Sequence, residues 1–102
     1  MKEKFPETCS FEQARKIKEL LGFPTENNIV YRIYHIFKYL PHEITYNNRR
    51  GDLSVTTQDI SYFSVGSAWE HFLVHFEPIP VGGDIFDAFI SMLNWLKENK
   101  LM

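Results

Sequence analysis

Thr25-Glu26-Asn27-Asn28-Ile29-Val30-Tyr31-Arg32-Ile33-Tyr34-His35-Ile36-Phe37-Lys38-Tyr39-Leu40 is the stretch on which the architecture turns. Ile29, Ile33, Ile36, Phe37 and Leu40 fit the period of an amphipathic helix, while Val30, Tyr31 and Tyr34 carry β propensity. As a helix, the stretch makes two N-terminal helices ahead of a sheet. As a strand, it adds a member to that sheet. Three features favour the helix: Thr25 is a usable N-cap, Arg32, His35 and Lys38 form one polar stripe, and Pro41 ends the pattern after Leu40.

Upstream, Ser10 followed by Gln13 has the spacing of a capping box, in which a hydroxyl and an amide each satisfy an orphan backbone N–H. Phe11, Ala14, Ile17, Leu20 and Leu21 then recur at helical spacing. Glu12, Arg15, Lys16, Lys18 and Glu19 take the other face, and Gly22 supplies a left-handed stop, so a helix is predicted over Phe11 to Leu21.

Downstream of Pro41 the texture changes to short β-rich runs: Glu43 to Tyr46, Leu53 to Thr57, Ile60 to Val65 and Trp69 to Phe76. Asn47-Asn48-Arg49-Arg50-Gly51-Asp52 reads as the turn between the first two, and Gly66-Ser67 as the turn between the last two. Alternation in the fourth run places Phe72, Val74 and Phe76 on one face and Trp69, His71, Leu73 and His75 on the other. Pro78, Pro80, Gly82 and Gly83 form an extended connector, after which Asp84 caps a helix over Ile85 to Glu98.

That final helix is apolar around an arc of about 220°, against the roughly 100° that one-sided packing requires. It must therefore touch two things. Ile85, Phe89, Met92 and Leu96 centre the arc and are assigned to the sheet; Phe86, Ile90 and Leu93 form a flank for an N-terminal helix or for a second copy of the chain.

With 102 residues and a net charge of -2, there is room for one domain and no general attraction to nucleic acid. Nine Phe, five Tyr and two Trp point to a core of few, large side chains, with Tyr31, Tyr39, Tyr62 and Trp69 expected as exposed or rim rings. One cysteine, Cys9, excludes an internal disulfide, and Met1-Lys2-Glu3-Lys4 lacks the apolar stretch of a signal peptide, so a cytoplasmic location is expected. No apolar run approaches the roughly 20 residues of a membrane span.

Few residues carry chemistry. His71 and His75 would share a helix face at metal-ligand spacing, but on a strand they lie about 13 Å apart, with His35 and His42 remote in sequence. Arg50-Gly51-Asp52 matches a cell-adhesion tripeptide and equally suits a tight turn. Gly82-Gly83 ahead of a helix suggests a phosphate cradle, except that Asp84 and Asp87 would occupy the donors and repel an anion. Cys9 has no adjacent base, no serine sits in a nucleophile-elbow frame, and Glu70 and Glu77 show no sign of converging as an acid/base pair.

Basic residues gather at Lys2 and Lys4, at Arg15, Lys16 and Lys18, and at Arg49 and Arg50. If Thr25 to Leu40 were a strand, the order α-β-β-β-β-α would loosely resemble that of double-stranded-RNA-binding domains. The resemblance implies lysines at the start of the last helix to hold phosphates. This chain has Asp84 and Asp87 there.

The reading adopted is a single α+β domain spanning 1–102: two N-terminal helices, a three- to four-stranded antiparallel sheet in hairpin order, and a C-terminal helix on one face. The expected role is a small interaction or accessory protein with no chemistry and no cofactor of its own. Its partner is an unidentified protein, or a second copy docking on Phe86, Ile90 and Leu93 should that flank not be filled, as the reading prefers, by an N-terminal helix of the same chain; no membrane is expected. Two alternatives stand beside it: a nucleic-acid module using Arg15, Lys16, Lys18, Arg49 and Arg50, and a small enzyme or histidine-based metal site.

Overall fold

A computed structural model describes residues 8–56, 59–64, 72–76 and 84–102. The elements are α1 (Phe11–Leu21), α2 (Ile33–Tyr39), β1 (Glu43–Tyr46), β2 (Arg49–Val55), β3 (Ile60–Ser64), β4 (Phe72–Phe76) and α3 (Ile85–Glu98). The four strands form one antiparallel sheet in hairpin order, with α3 lying against it. The expected Gly66-Ser67 turn and the connector of Pro78, Pro80, Gly82 and Gly83 lie outside the described residues, as do Lys2, Lys4, Thr57, Trp69, Glu70, His71 and Glu77.

α1 has the expected bounds and caps. Ser10 Oγ accepts the Gln13 N–H at 3.1 Å and Gln13 Oε1 accepts the Ser10 N–H at 2.9 Å. At the other end Gly22 adopts φ 76°, and the Phe23 N–H closes back on Lys18 O at 2.8 Å.

The deciding stretch divides. Its second half is helical, but the helix starts at Ile33 with Arg32 as N-cap, not after Thr25. Asn27 explains the delay: its Oδ1 accepts the Ile29 N–H and its Nδ2 donates to Pro24 O, local bonds that compete with helix initiation. Tyr31 follows in a two-way bond with Cys9, donating its N–H to Sγ at 3.3 Å and accepting the Cys9 N–H at 2.9 Å. Val30 and Tyr31 thus lie in the non-helical half that their β propensity favours, and the element order departs from that of RNA-binding domains.

Two corrections apply to the sheet. The β1–β2 turn is only Asn47-Asn48, both left-handed at φ 53° and 64°, so β2 begins at Arg49 and Arg50-Gly51-Asp52 lies within a strand. Two consecutive positive φ values define the tight hairpin turn whose twist matches the strands, and asparagine tolerates them. The second correction concerns β4, where a bulge opposite Tyr62/Phe63 inserts Leu73 as an extra residue. Leu73, Val74 and Phe76 therefore all join the core, while Phe72 turns outward with His75. Gly51 makes room for this: Leu73 Cδ1 occupies the space its side chain would need.

On the helix side of the sheet, Ile44, Leu53, Val55, Ile60 and Tyr62 complete the face that α3 covers. α3 also packs along α1, giving it two neighbours within the chain. No described helix is long and apolar enough to cross a membrane.

Candidate functional site

Among the described residues, 23–42 hold most of the exposed large apolar side chains. The support of this segment begins at Lys18, which is buried and donates through Nζ to Asn27 O at 3.1 Å, fixing the loop that presents Ile29. Tyr31, Ile36 and Leu40 then anchor α2 in the core. At the far end, His42 Nε2 donates to Phe37 O at 3.1 Å, and the Tyr62 hydroxyl donates to Pro41 O at 2.7 Å, tying the helix exit to the sheet.

Rings fill the layer above these anchors. Tyr39 meets Phe23 edge-on at 5.5 Å and Tyr31 at 5.9 Å, and stacks with His35 at 5.6 Å; Tyr34 leans on His35 at 4.1 Å. His35 Nδ1 accepts the Arg32 N–H at 2.9 Å, serving as the side-chain acceptor at the start of α2. Burial holds the His35 pKa below the usual imidazole range, and the nearby Lys38 charge adds to the effect.

What this scaffold presents to solvent is apolar and cationic. Ile29, Tyr34 and Phe37 are 55%, 59% and 45% exposed, and Phe23 is also exposed. Arg32 and Lys38 of the same segment are exposed as well, and no Asp or Glu occurs in the sequence from Asn27 to His42. Large apolar side chains exposed along one ring-supported segment have the composition of a binding surface.

A polar cluster forms where Asp59, just ahead of β3, meets β4. His75 Nε2 pairs with Asp59 Oδ2 at 2.7 Å, Asp59 Oδ1 accepts the Thr56 hydroxyl, and Phe72 stacks on the imidazole at 4.5 Å. The pair orients a histidine. Among the described residues no three His, Cys, Asp or Glu side chains gather as metal ligands.

The residues singled out from sequence are dispersed. Phe86 and Leu93 are fully buried within one chain and Ile90 is half-buried, so Ile90 is the only one of the three that a second copy reaches without rearrangement. Arg15 and Lys16 are exposed on α1, but Lys18 is spent inside, and Arg50 Nε bonds Glu43 Oε2 at 2.6 Å on the outer face of the sheet. Cys9 is buried, and burial pushes its thiol pKa up. Asp84 and Asp87 cap α3, with Asp84 Oδ1 accepting the Phe86 N–H and Asp87 Oδ2 accepting the Asp84 N–H.

Of the expected exposed rings, Tyr31 and Tyr62 are buried and Tyr39 is half-buried; Trp69 lies outside the described residues. Sequence reasoning missed Ile29, Tyr34 and Phe37 because it assigned all solvent contact to the Arg32, His35, Lys38 stripe. A seven-residue helix buries only a narrow strip, and once α2 is shortened to that length its neighbouring rings have no inner surface to cover. Compared with known proteins, the chain matches no family model, no curated protein and no solved structure.

Proposed function

We propose that this protein is a small interaction module, without chemistry or cofactor of its own, that engages a protein partner through the face of Ile29, Tyr34 and Phe37. The observation that carries this reading is their exposure along a segment braced by the ring contacts of Tyr31, His35 and Tyr39. Rigid aromatics lose little entropy on binding, so a face of this kind retains more of its contact energy than a mobile one. Each of these side chains is about half exposed, so covering what remains is worth about 1 kcal/mol apiece, and a transient complex would draw on all of them together. A cytoplasmic setting fits the single, unpaired Cys9.

Site-specific photocrosslinking tests the reading. A photoreactive phenylalanine at Tyr34 is expected to yield a discrete adduct in cell extract that a probe at exposed Asn94 on α3 does not, with the adduct lost in Phe37→Asp. Equal labelling at both positions, or none at Tyr34, overturns it. A second copy as the partner would appear instead as a dimer in light scattering.

A further inference from the structure

We infer that the partner of the α2 face is an acidic, amphipathic peptide segment of another protein, its apolar side chains against Ile29, Tyr34 and Phe37 and its carboxylates beside Arg32 and Lys38. This rests on the interaction reading above and adds its chemistry. The argument is the distribution of charge. The chain carries 11 Lys and Arg against 13 Asp and Glu; the segment Asn27–His42 holds two of the cations and none of the carboxylates, so the remainder stands at 9 against 13. A segment of +2 thus sits in a chain that is otherwise -4. Glu26 is the carboxylate that borders the segment on one side, and Glu43, on the other, is already paired with Arg50.

Magnitudes select a peptide over other anions. Lipid-binding basic segments gather about four to eight Lys and Arg, and DNA binders with steep salt dependence make about six to ten phosphate contacts. Two fixed cations reach neither. They do suffice to choose sign and orientation for a ligand whose affinity comes from apolar contact, which is how short amphipathic helices dock. Lys38 Nζ lies 5.7 Å from the Tyr39 ring, close to the apolar face it flanks.

The test is selection of peptides of about twelve residues from a random display library by the intact protein. Wild type is expected to enrich sequences combining Asp or Glu with Leu, Ile or Phe, and the Arg32→Glu/Lys38→Glu variant is expected to enrich basic sequences instead. An Arg32→Gln/Lys38→Gln variant, expected to lose the acidic bias without acquiring a basic one, serves if charge reversal impairs folding as judged by circular dichroism. A synthetic peptide from the acidic pool should weaken about tenfold on Phe37→Ala and bind less tightly at high salt. Enrichment of apolar sequences with no charge bias overturns this inference while leaving the interaction face standing. No enrichment dependent on Tyr34 and Phe37 overturns both, and tighter binding to oligothymidine or phosphatidylserine vesicles than to acidic peptides overturns the choice of partner.

Discussion

A β-carbon added at Gly51 would stand 2.6 Å from Leu73 Cδ1, 3.1 Å from Phe63 O and 3.2 Å from Tyr62 Cβ. Two of these neighbours belong to β3, so relief must come from Leu73. Gly51→Ala is expected to cost about 1–3 kcal/mol in urea unfolding, and less in a Leu73→Ala background, where the added methyl has room. Equal costs in both backgrounds would show that the bulged leucine is not what crowds the site. Lys100 presents the opposite case: it is left-handed at φ 57°, closing α3 through the Leu101 N–H on Leu96 O at 2.8 Å. Lys100→Gly keeps that bond and removes the β-carbon penalty, so the urea midpoint is expected to rise by the equivalent of about 0.5–1 kcal/mol. Neither position could be interpreted from sequence. Arg50-Gly51-Asp52 looks like a turn because Gly-Asp suits one, and only the two asparagines before it, which already satisfy the hairpin geometry, move the glycine into a strand.

The individual elements were legible in proportion to how locally their ends are determined. α1 and α3 carry capping boxes and long apolar periods, and their bounds match the expectation. β1 does as well, bracketed by Pro41 and Asn47. α2 was half legible, since its stop is local but its start depends on Cys9 and Lys18 holding residues 27–31 in place from another element. β4 was assigned to the sheet with two residues on the wrong face, because a bulge breaks the period-two rule without leaving a mark in the sequence. The cap of α2 has a pH signature. His35 is held below the ordinary imidazole pKa, so between that lowered value and about 6.5 the unfolded chain binds more protons than the folded one. Stability is therefore expected to be full above about pH 6.5 and to fall on acidification through this window, as Nδ1 gains a proton and loses the Arg32 N–H. NMR titration of His35 and amide exchange at Arg32 check this, and an imidazole titrating above 6.5 would contradict it. His35→Gln should flatten the dependence.

The molecule as a whole is closed by two side chains that join its most distant segments. Gln13 Nε2 donates to Asp84 Oδ1 at 2.9 Å and to Asp87 Oδ1 at 3.0 Å, locking the capping boxes of α1 and α3 together, and Lys97 Nζ donates to Leu20 O at 2.7 Å at the other end. Gln13→Glu preserves the acceptor for Ser10 but replaces the donor with a third carboxylate, and is expected to lower the melting temperature at pH 7 and recover it at pH 3 relative to wild type. Phe86→Ala is expected to cost about 3–5 kcal/mol with a melting temperature independent of protein concentration, since its side chain is buried within one chain. A concentration-dependent midpoint would instead favour the self-association that the flank of Phe86, Ile90 and Leu93 suggests from sequence. The fold class was legible because hairpin order follows from short connections; the wide apolar arc of α3 called for an N-terminal helix or a second copy on its flank, but nothing local specified that α1 rather than α2 would fill it. Contacts spanning 71 and 77 positions have a temporal consequence. During synthesis α1 emerges early with Ala14 and Ile17 facing a neighbour that does not yet exist, and it must wait for α3. Docking α1 on α3 therefore carries the entropy cost of closing nearly the whole chain, and that closure is expected to slow folding more than the formation of either helix does.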